Sequence, residues 1–206
     1  MRTCVQPLLG ATLLLWLAAS SCSVLKPKAD LTRFYVLRAP EPASKSPSTK
    51  ETTLAEIRVG PGQLADYLDT TPIVIKEEAD RLKFLDGHHW AEGLPKGINR
   101  VLGQSLGSAL PGFQMSLYPE PASQTNSLEL DYWITRFEGP LEGPVRLEVS
   151  WQLRQRPGRN VLISTQNSYE IPVDRKAAPV DSYVKALAEA IGRWATDVAE
   201  AIRNRN

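Results

Sequence analysis

Residues 128–169 read LELDYWITRFEGPLEGPVRLEVSWQLRQRPGRNVLISTQNSY, and three times in this stretch apolar side chains return at every second position. Leu128, Leu130, Tyr132 and Ile134 form one such set, and Val145, Leu147, Val149, Trp151 and Leu153 form the next. Val161, Ile163, Thr165, Asn167 and Tyr169 continue the pattern with weaker contrast. A period of two puts alternate side chains on opposite sides of an extended chain, so each set predicts a strand with one buried and one wet face. Gly139-Pro140 and Gly143-Pro144 separate the first two, and Arg156-Pro157-Gly158-Arg159 turns the second into the third. Short turns between adjacent strands predict antiparallel pairing through this half of the chain.

The pattern changes period on either side. Tyr183, Leu187, Ile191, Trp194, Val198 and Ile202 make a stripe at helical spacing, with Lys185, Glu189, Arg193 and Glu200 facing away. This predicts an amphipathic helix, capped by Asp181 or Ser182 and ending near Ile202, that lies as a lid on a sheet. Upstream, Ile98, Val101, Leu102, Ser105, Leu106 and Ala109 predict a helix over Leu94–Leu110, stopped by Pro111-Gly112. Phe34–Leu37 and Leu54–Val59 read as strands, the second ended by Gly60-Pro61-Gly62, and Ile73–Lys76 with Leu82–Leu85 reads as a hairpin. Ala39–Thr53, rich in Pro, Ser and Lys, reads as an exposed loop. The sum is an α+β fold: a mixed, largely antiparallel sheet with two amphipathic helices packed on one face.

The first 21 residues obey another grammar. Arg2 is the only charge, Leu8–Ala19 is an apolar run, and Ala19-Ser20-Ser21 supplies small side chains before Cys22. That is the order of a secretory signal, and the run is too short for comfortable membrane spanning, which takes ~20 apolar residues. A cysteine directly after small residues resembles a lipobox. The resemblance implies lipid on the Cys22 thiol, cleavage between Ser21 and Cys22, and acylation of the new amino terminus. Two or three acyl chains hold a protein stably on a bilayer, so the domain itself needs no apolar patch for attachment. Ser23 follows, where an Asp would resemble an enterobacterial inner-membrane retention signal, and its absence favours the periplasmic face of the outer membrane. Residues 22–30 then form a tether, of which Ser23–Asp30 spans at most ~28 Å, and residues 31–206 form a single periplasmic domain.

Charge and cysteine content exclude several functions. The 206 residues hold 24 basic and 23 acidic side chains, and loss of residues 1–21 removes only Arg2, which leaves the signs balanced. Nucleic-acid binding needs a clustered cationic surplus that this chain lacks. Cys4 and Cys22 are the only cysteines, so no disulfide is expected after the signal is removed.

Gly103-Gln104-Ser105-Leu106-Gly107 matches the G-x-S-x-G pattern of a hydrolase nucleophile elbow. An elbow places Ser on a sharp turn between strand and helix and its His later in the chain. Ser105 instead falls inside helical periodicity, both histidines, His88 and His89, precede it, and the two glycines suit close helix packing on the sheet. Adjacent histidines rarely converge on one ion, and Asp86 and Glu92 are the only nearby carboxylates. Neither a catalytic residue nor a metal or other cofactor is expected. Trp151 and Trp194 lie on core faces and require no ligand.

Three segments together resemble the ABC-type transport auxiliary lipoprotein family: FYVL at Phe34–Leu37, IRVGPGQLADYLDTTPIVI at Ile57–Ile75, and RLKFLDGHHWAEGLPKGINRVLGQSL at Arg81–Leu106. The most specific parts are Val59-Gly60-Pro61, Tyr67-Leu68-Asp69, Pro72-Ile73-Val74 and His89-Trp90-Ala91-Glu92. The resemblance implies a non-catalytic accessory of a transport system containing mammalian-cell-entry (MCE) family proteins. Such a system carries phospholipid or other hydrophobic molecules between the two membranes, with this protein docking the periplasmic conduit at the outer membrane, possible homo-oligomers included. A competing reading is a lipid-binding or lipopolysaccharide-assembly type of lipoprotein that itself holds a hydrophobic ligand in an apolar pocket of ~300 Å³ or more. The candidate partner surface is Tyr67, Leu68 and Asp69, because a tyrosine in a polar loop offers buried area and a bonded hydroxyl together. If so, Tyr67→Ala lowers partner capture at nearly unchanged stability; if Tyr67 and Leu68 fill the rim of the sheet, it lowers the melting temperature instead.

Overall fold

The computed structural model describes residues 31–41, 55–121 and 127–205. Signal, lipidation site and tether, with most of the expected loop at 39–53, lie outside the described residues. The elements are β1 (Arg33–Tyr35), β2 (Ala55–Leu64), β3 (Pro72–Glu78), β4 (Arg81–Trp90), α1 (Leu94–Ala109), β5 (Phe113–Leu117), β6 (Ser127–Glu138), β7 (Val145–Gln155), β8 (Asn160–Ile171) and α2 (Pro179–Arg203). A single 3-10 turn, Asp66–Leu68, follows β2.

The fold is α+β, with the strands divided between two sheets: five strands ordered β5-β2-β6-β7-β8, and three ordered β1-β4-β3. β6, β7 and β8 pair antiparallel, as their alternation and short turns require. β2 pairs parallel with both β5 and β6, and β1 pairs parallel with β4. Val145, Leu147, Val149, Trp151 and Leu153 are all buried, so β7 lies at the centre of the core. β6 buries Leu130, Tyr132 and Ile134 and then, past a bulge between Ile134 and Arg136, Phe137. One extra residue moves the buried face from even to odd positions. The weaker contrast of β8 matches its place at the sheet edge, where Val161 stays exposed.

Both helices cover the inner face of the larger sheet. Ile98, Val101, Leu102 and Leu106 of α1 are fully buried, and so are Tyr183, Ile191, Trp194 and Val198 of α2. A Cβ on Gly103 would stand 2.6 Å from Leu117 Cδ2, so this glycine sets the distance at which α1 lies on β5. α2 also buries Ala186, Ala190, Ala195 and Ala199, small residues that let it sit close to its neighbours.

Four expectations need correction. α2 is not capped by Asp181 or Ser182: Pro179 opens it after Ala178, in the first turn where a missing N–H costs nothing, and Asp181 becomes a first-turn acid that suits the helix dipole. The hairpin strands reach from Pro72 and to Trp90, well past the expected ends. β5 has no counterpart in the sequence reading, since five residues after a helix stop carry too short an alternation to stand out. And β2 does not end at Gly60-Pro61-Gly62; it bulges there and runs on to Leu64.

Candidate functional site

That bulge begins the segment expected to face a partner. Gly60 has φ +92°, a conformation few side chains tolerate, and the peptide before Pro61 is cis. At Gly62 an added Cβ would fall 2.0 Å from Tyr132 Cζ, inside the ring. Tyr132 crosses the vacant space, packs edge-on against Trp194 at 5.0 Å, and donates its hydroxyl to Asn99 Oδ1 at 2.7 Å. The Gly-Pro-Gly sequence is therefore where the parallel β2–β6 pair yields to a core tyrosine, not a turn leading out to solvent.

The next residues fold back onto the same core. Leu68 is 1% exposed and belongs to the core, which removes it from any docking surface. Tyr67 is half-buried, its hydroxyl 2.9 Å from Glu138 Oε2 and 3.1 Å from the Thr135 carbonyl. Of the three, Asp69 alone is exposed. Glu138 is buried yet well held, accepting from Tyr67, from Phe137 N at 2.8 Å and from Arg136 Nε at 3.1 Å, while Arg136 also reaches Glu148. Beside it, Tyr183 donates to the Val74 carbonyl at 2.9 Å and accepts from Gly139 N at 3.0 Å, and Lys76 N donates to the Gly139 carbonyl. These bonds join the small sheet to the large one, so the segment acts at the seam between sheets. Tyr67→Phe, which withdraws one donor from a buried carboxylate, should cost about 1–2 kcal/mol of stability in urea unfolding. For Tyr67→Ala the melting temperature is expected to fall, the outcome that belongs to a rim-filling residue.

Burial raises the phenols of Tyr132 and Tyr183 well above the ordinary tyrosine range, and burial with the nearby Glu138 does the same to Tyr67. The folded state therefore keeps protons that the unfolded chain releases near pH ~10. Stability should be complete below that pH and fall above it, by about 1.4 kcal/mol per pH unit for each fully buried tyrosine. Phenolate absorbance should lag in the folded protein and rise abruptly at an alkaline unfolding step; smooth titration of every tyrosine near pH ~10 would contradict this packing.

The remaining motifs resolve as structure. Ser105 lies within α1, between Gly103 and Gly107, with no strand leading into it. His88 and His89 point to opposite faces of β4: Tyr35 Oη lies 2.8 Å from His88 Nδ1, and the His89 ring meets Phe34 edge-on at 6.0 Å. Among the described residues no three His, Cys, Asp or Glu side chains converge as metal ligands. Glu92, in the run before α1, pairs with Arg100, which also donates to the Leu37 carbonyl and so fastens the end of the β1 segment to the helix.

Two outward surfaces then remain. On the larger sheet, Asp131, Trp133, Ser150, Gln152, Arg154 and Gln166 line an open depression of about 680 Å³. Its lining mixes these polar groups with Pro61, Tyr132, Trp151 and the exposed Trp133. Arg154 pairs with Asp131 at 3.1 Å, and burial together with the charge of Glu129 raises the Asp131 pKa. Deeper along the same face Glu129 takes Arg58 at 3.1 Å and Arg156 at 3.4 Å, with Arg58 over the Tyr118 ring.

The smaller sheet shows the opposite character. Directly opposite residues share a face, and the pairs Phe34↔His89, His89↔Pro72, Val74↔Phe84 and Lys76↔Leu82 lie on the outward one. Ile73, Ile75 and Trp90, on the other face, enter the core. Outward, Phe34 is 65% exposed and Phe84 46%, with Leu82 and, just past β1, Val36 exposed as well. FYVL and LKFL lack clean alternation, which is the signal in the sequence for a second apolar face on these strands.

Residues 35–199 match the family model described as ABC-type transport auxiliary lipoprotein component. Among solved structures, a crystal structure of an uncharacterized protein superposes with TM-score 0.68 at 20% identity, covering 83% of this chain and 98% of its own. A protein from Xanthomonas campestris superposes with TM-score 0.65 at 13% identity, covering 84% of this chain and 96% of its own. At these identities the likeness is one of fold. No curated protein matches the sequence.

Proposed function

From a chain that belongs to the ABC-type transport auxiliary lipoprotein component family, we infer a lipid-anchored, non-catalytic adaptor that docks an MCE-type transport conduit at the periplasmic face of the outer membrane. The observation that carries this reading is the family match across residues 35–199, nearly all of the folded unit that begins at Thr32. The Cys22 lipobox, ahead of that unit by a short tether, supplies the anchor. The depression on the larger sheet is open and carries the Asp131–Arg154 ion pair in its lining, which suits contact with another protein better than enclosure of an acyl chain and weighs against the ligand-holding alternative. Cargo then passes through the conduit, as lipid or another hydrophobic molecule, and this protein fixes its end.

Affinity purification of the lipidated protein from membranes should bring down an MCE-domain protein of an ABC-type system. Recovery of a tightly held hydrophobic molecule and no such protein would replace the adaptor with the ligand-holding reading. Ser105→Ala should leave complementation and thermal stability nearly unchanged, within ~0.5 kcal/mol; loss of a measurable hydrolase activity on this change would end the non-catalytic reading.

A further inference from the structure

We propose that the outward face of the β1-β4-β3 sheet rests on an anionic phospholipid bilayer and fixes the orientation of the domain on its membrane. The proposal builds on the lipid anchor at Cys22 and adds to it a second, directional contact. Phe34, Val36, Leu82 and Phe84 account for half of the large apolar side chains that the described residues expose, and they lie together on one small sheet. Two exposed apolar pairs on one face, Phe34 with Val36 at the β1 end and Leu82 with Phe84 toward the hairpin turn, mark an interaction surface where singly scattered apolar residues do not.

The occupant follows from chain order and charge. β1 is the first element after the tether, and the eleven steps from Cys22 to Arg33 span at most ~40 Å, so an anchored Cys22 keeps this sheet near the lipid. Arg38 follows Phe34 and Val36, and Lys76 stands opposite Leu82, whereas Arg33, opposite His88, lies on the other face of the strand. None of these three cations is in an ion pair among the described residues, whereas Glu77 and Glu78 are occupied by Arg81 at 2.8 and 2.7 Å and Glu77 also by Lys83 at 3.8 Å. Asp86 is the remaining acid on β4, and Asp181 with Lys185 of α2 shares a hollow with Phe34, Val36 and Arg38. Apolar side chains bordered by unpaired cations match the acyl boundary and phosphate layer of a bilayer.

The test uses full-length lipidated protein in vesicles of phosphatidylethanolamine and phosphatidylglycerol. With Cys22 blocked by lipid, Phe84→Cys provides the one free thiol of the mature chain for an environment-sensitive dye, and Val161→Cys, on the edge of the larger sheet, provides the comparison site. Flotation with the vesicles reports the anchor; emission reports the face. The expected result is a blue-shifted Phe84 probe that spin-labelled lipid quenches, a Val161 probe that it does not, and weaker quenching when Arg38 and Lys76 are changed to Glu or salt is raised. Flotation with equal, weak quenching at both sites would overturn the docked face and leave the anchor standing, while failure to float would remove both. A Phe84 shift that rises with protein concentration in detergent, without vesicles, would assign the face to a second copy and overturn the proposal.

Discussion

Cys22→Ala should move the protein from the membrane fraction to the soluble one, with membrane partition falling by at least about two orders of magnitude. The variant needs a signal that is cleaved without lipid, so that the same domain is secreted in both cases. Each buried acyl CH₂ contributes ~0.8 kcal/mol, and only two or more chains hold a protein firmly. The apolar sheet face is far weaker: four side chains that are already partly covered contribute about 1 kcal/mol each at most. The domain thus carries an apolar face that the sequence reading considered unnecessary, but one suited to orienting the protein and too small to hold it. Fractionation in high salt separates these contributions, because salt weakens charge attraction to lipid phosphates and leaves acyl insertion untouched. A Cys22→Ala protein that still sediments wholly with outer membranes in high salt would refute lipid anchoring at this residue.

Gly62→Ala is the substitution in the folded domain with the largest expected cost for its size. One added methyl group would stand 2.0 to 2.4 Å from three atoms of the Tyr132 ring. The ring cannot simply swing away, since Asn99 holds its hydroxyl, Trp194 packs against it edge-on, and Tyr132 is 4% exposed. Relief requires displacing β2 from β6 or shifting the core, which should cost about 3 kcal/mol or more. Urea unfolding measures the loss, and a double-mutant cycle assigns it: in a Tyr132→Leu background the same methyl group should cost much less. Equal costs in both backgrounds would show that backbone conformation, not the tyrosine, demands glycine here. The neighbouring Gly60 serves as contrast, because its demand is the backbone angle itself.

Local periodicity determined most of the elements. The stripe from Tyr183 to Ile202 and the alternation from Val145 to Leu153 each repeat long enough for side-chain geometry to dictate helix or strand and the buried face, and both are buried as read. The helix over Leu94–Ala109 was legible for the same reason, and the family resemblance rested on short motifs whose residues turn out to hold elements together: Tyr67 on Glu138 at the seam between sheets, Glu92 on Arg100 between the end of β4 and α1. The proposed lipidation at Cys22 rests on sequence alone, on the apolar run and small residues that precede the cysteine. Tertiary structure decided what depends on neighbours distant in the chain. A glycine-proline-glycine run ordinarily signals a turn, and only the arrival of the Tyr132 ring, seventy residues later, makes it a bulge within a parallel pair. Leu68 has the same composition around it whether it faces a partner or the core, and packing against the seam settled it. Partition of the strands into two sheets, and with it the exposure of Phe34 and Phe84, follows from which backbone edges pair, and no local pattern encodes that choice.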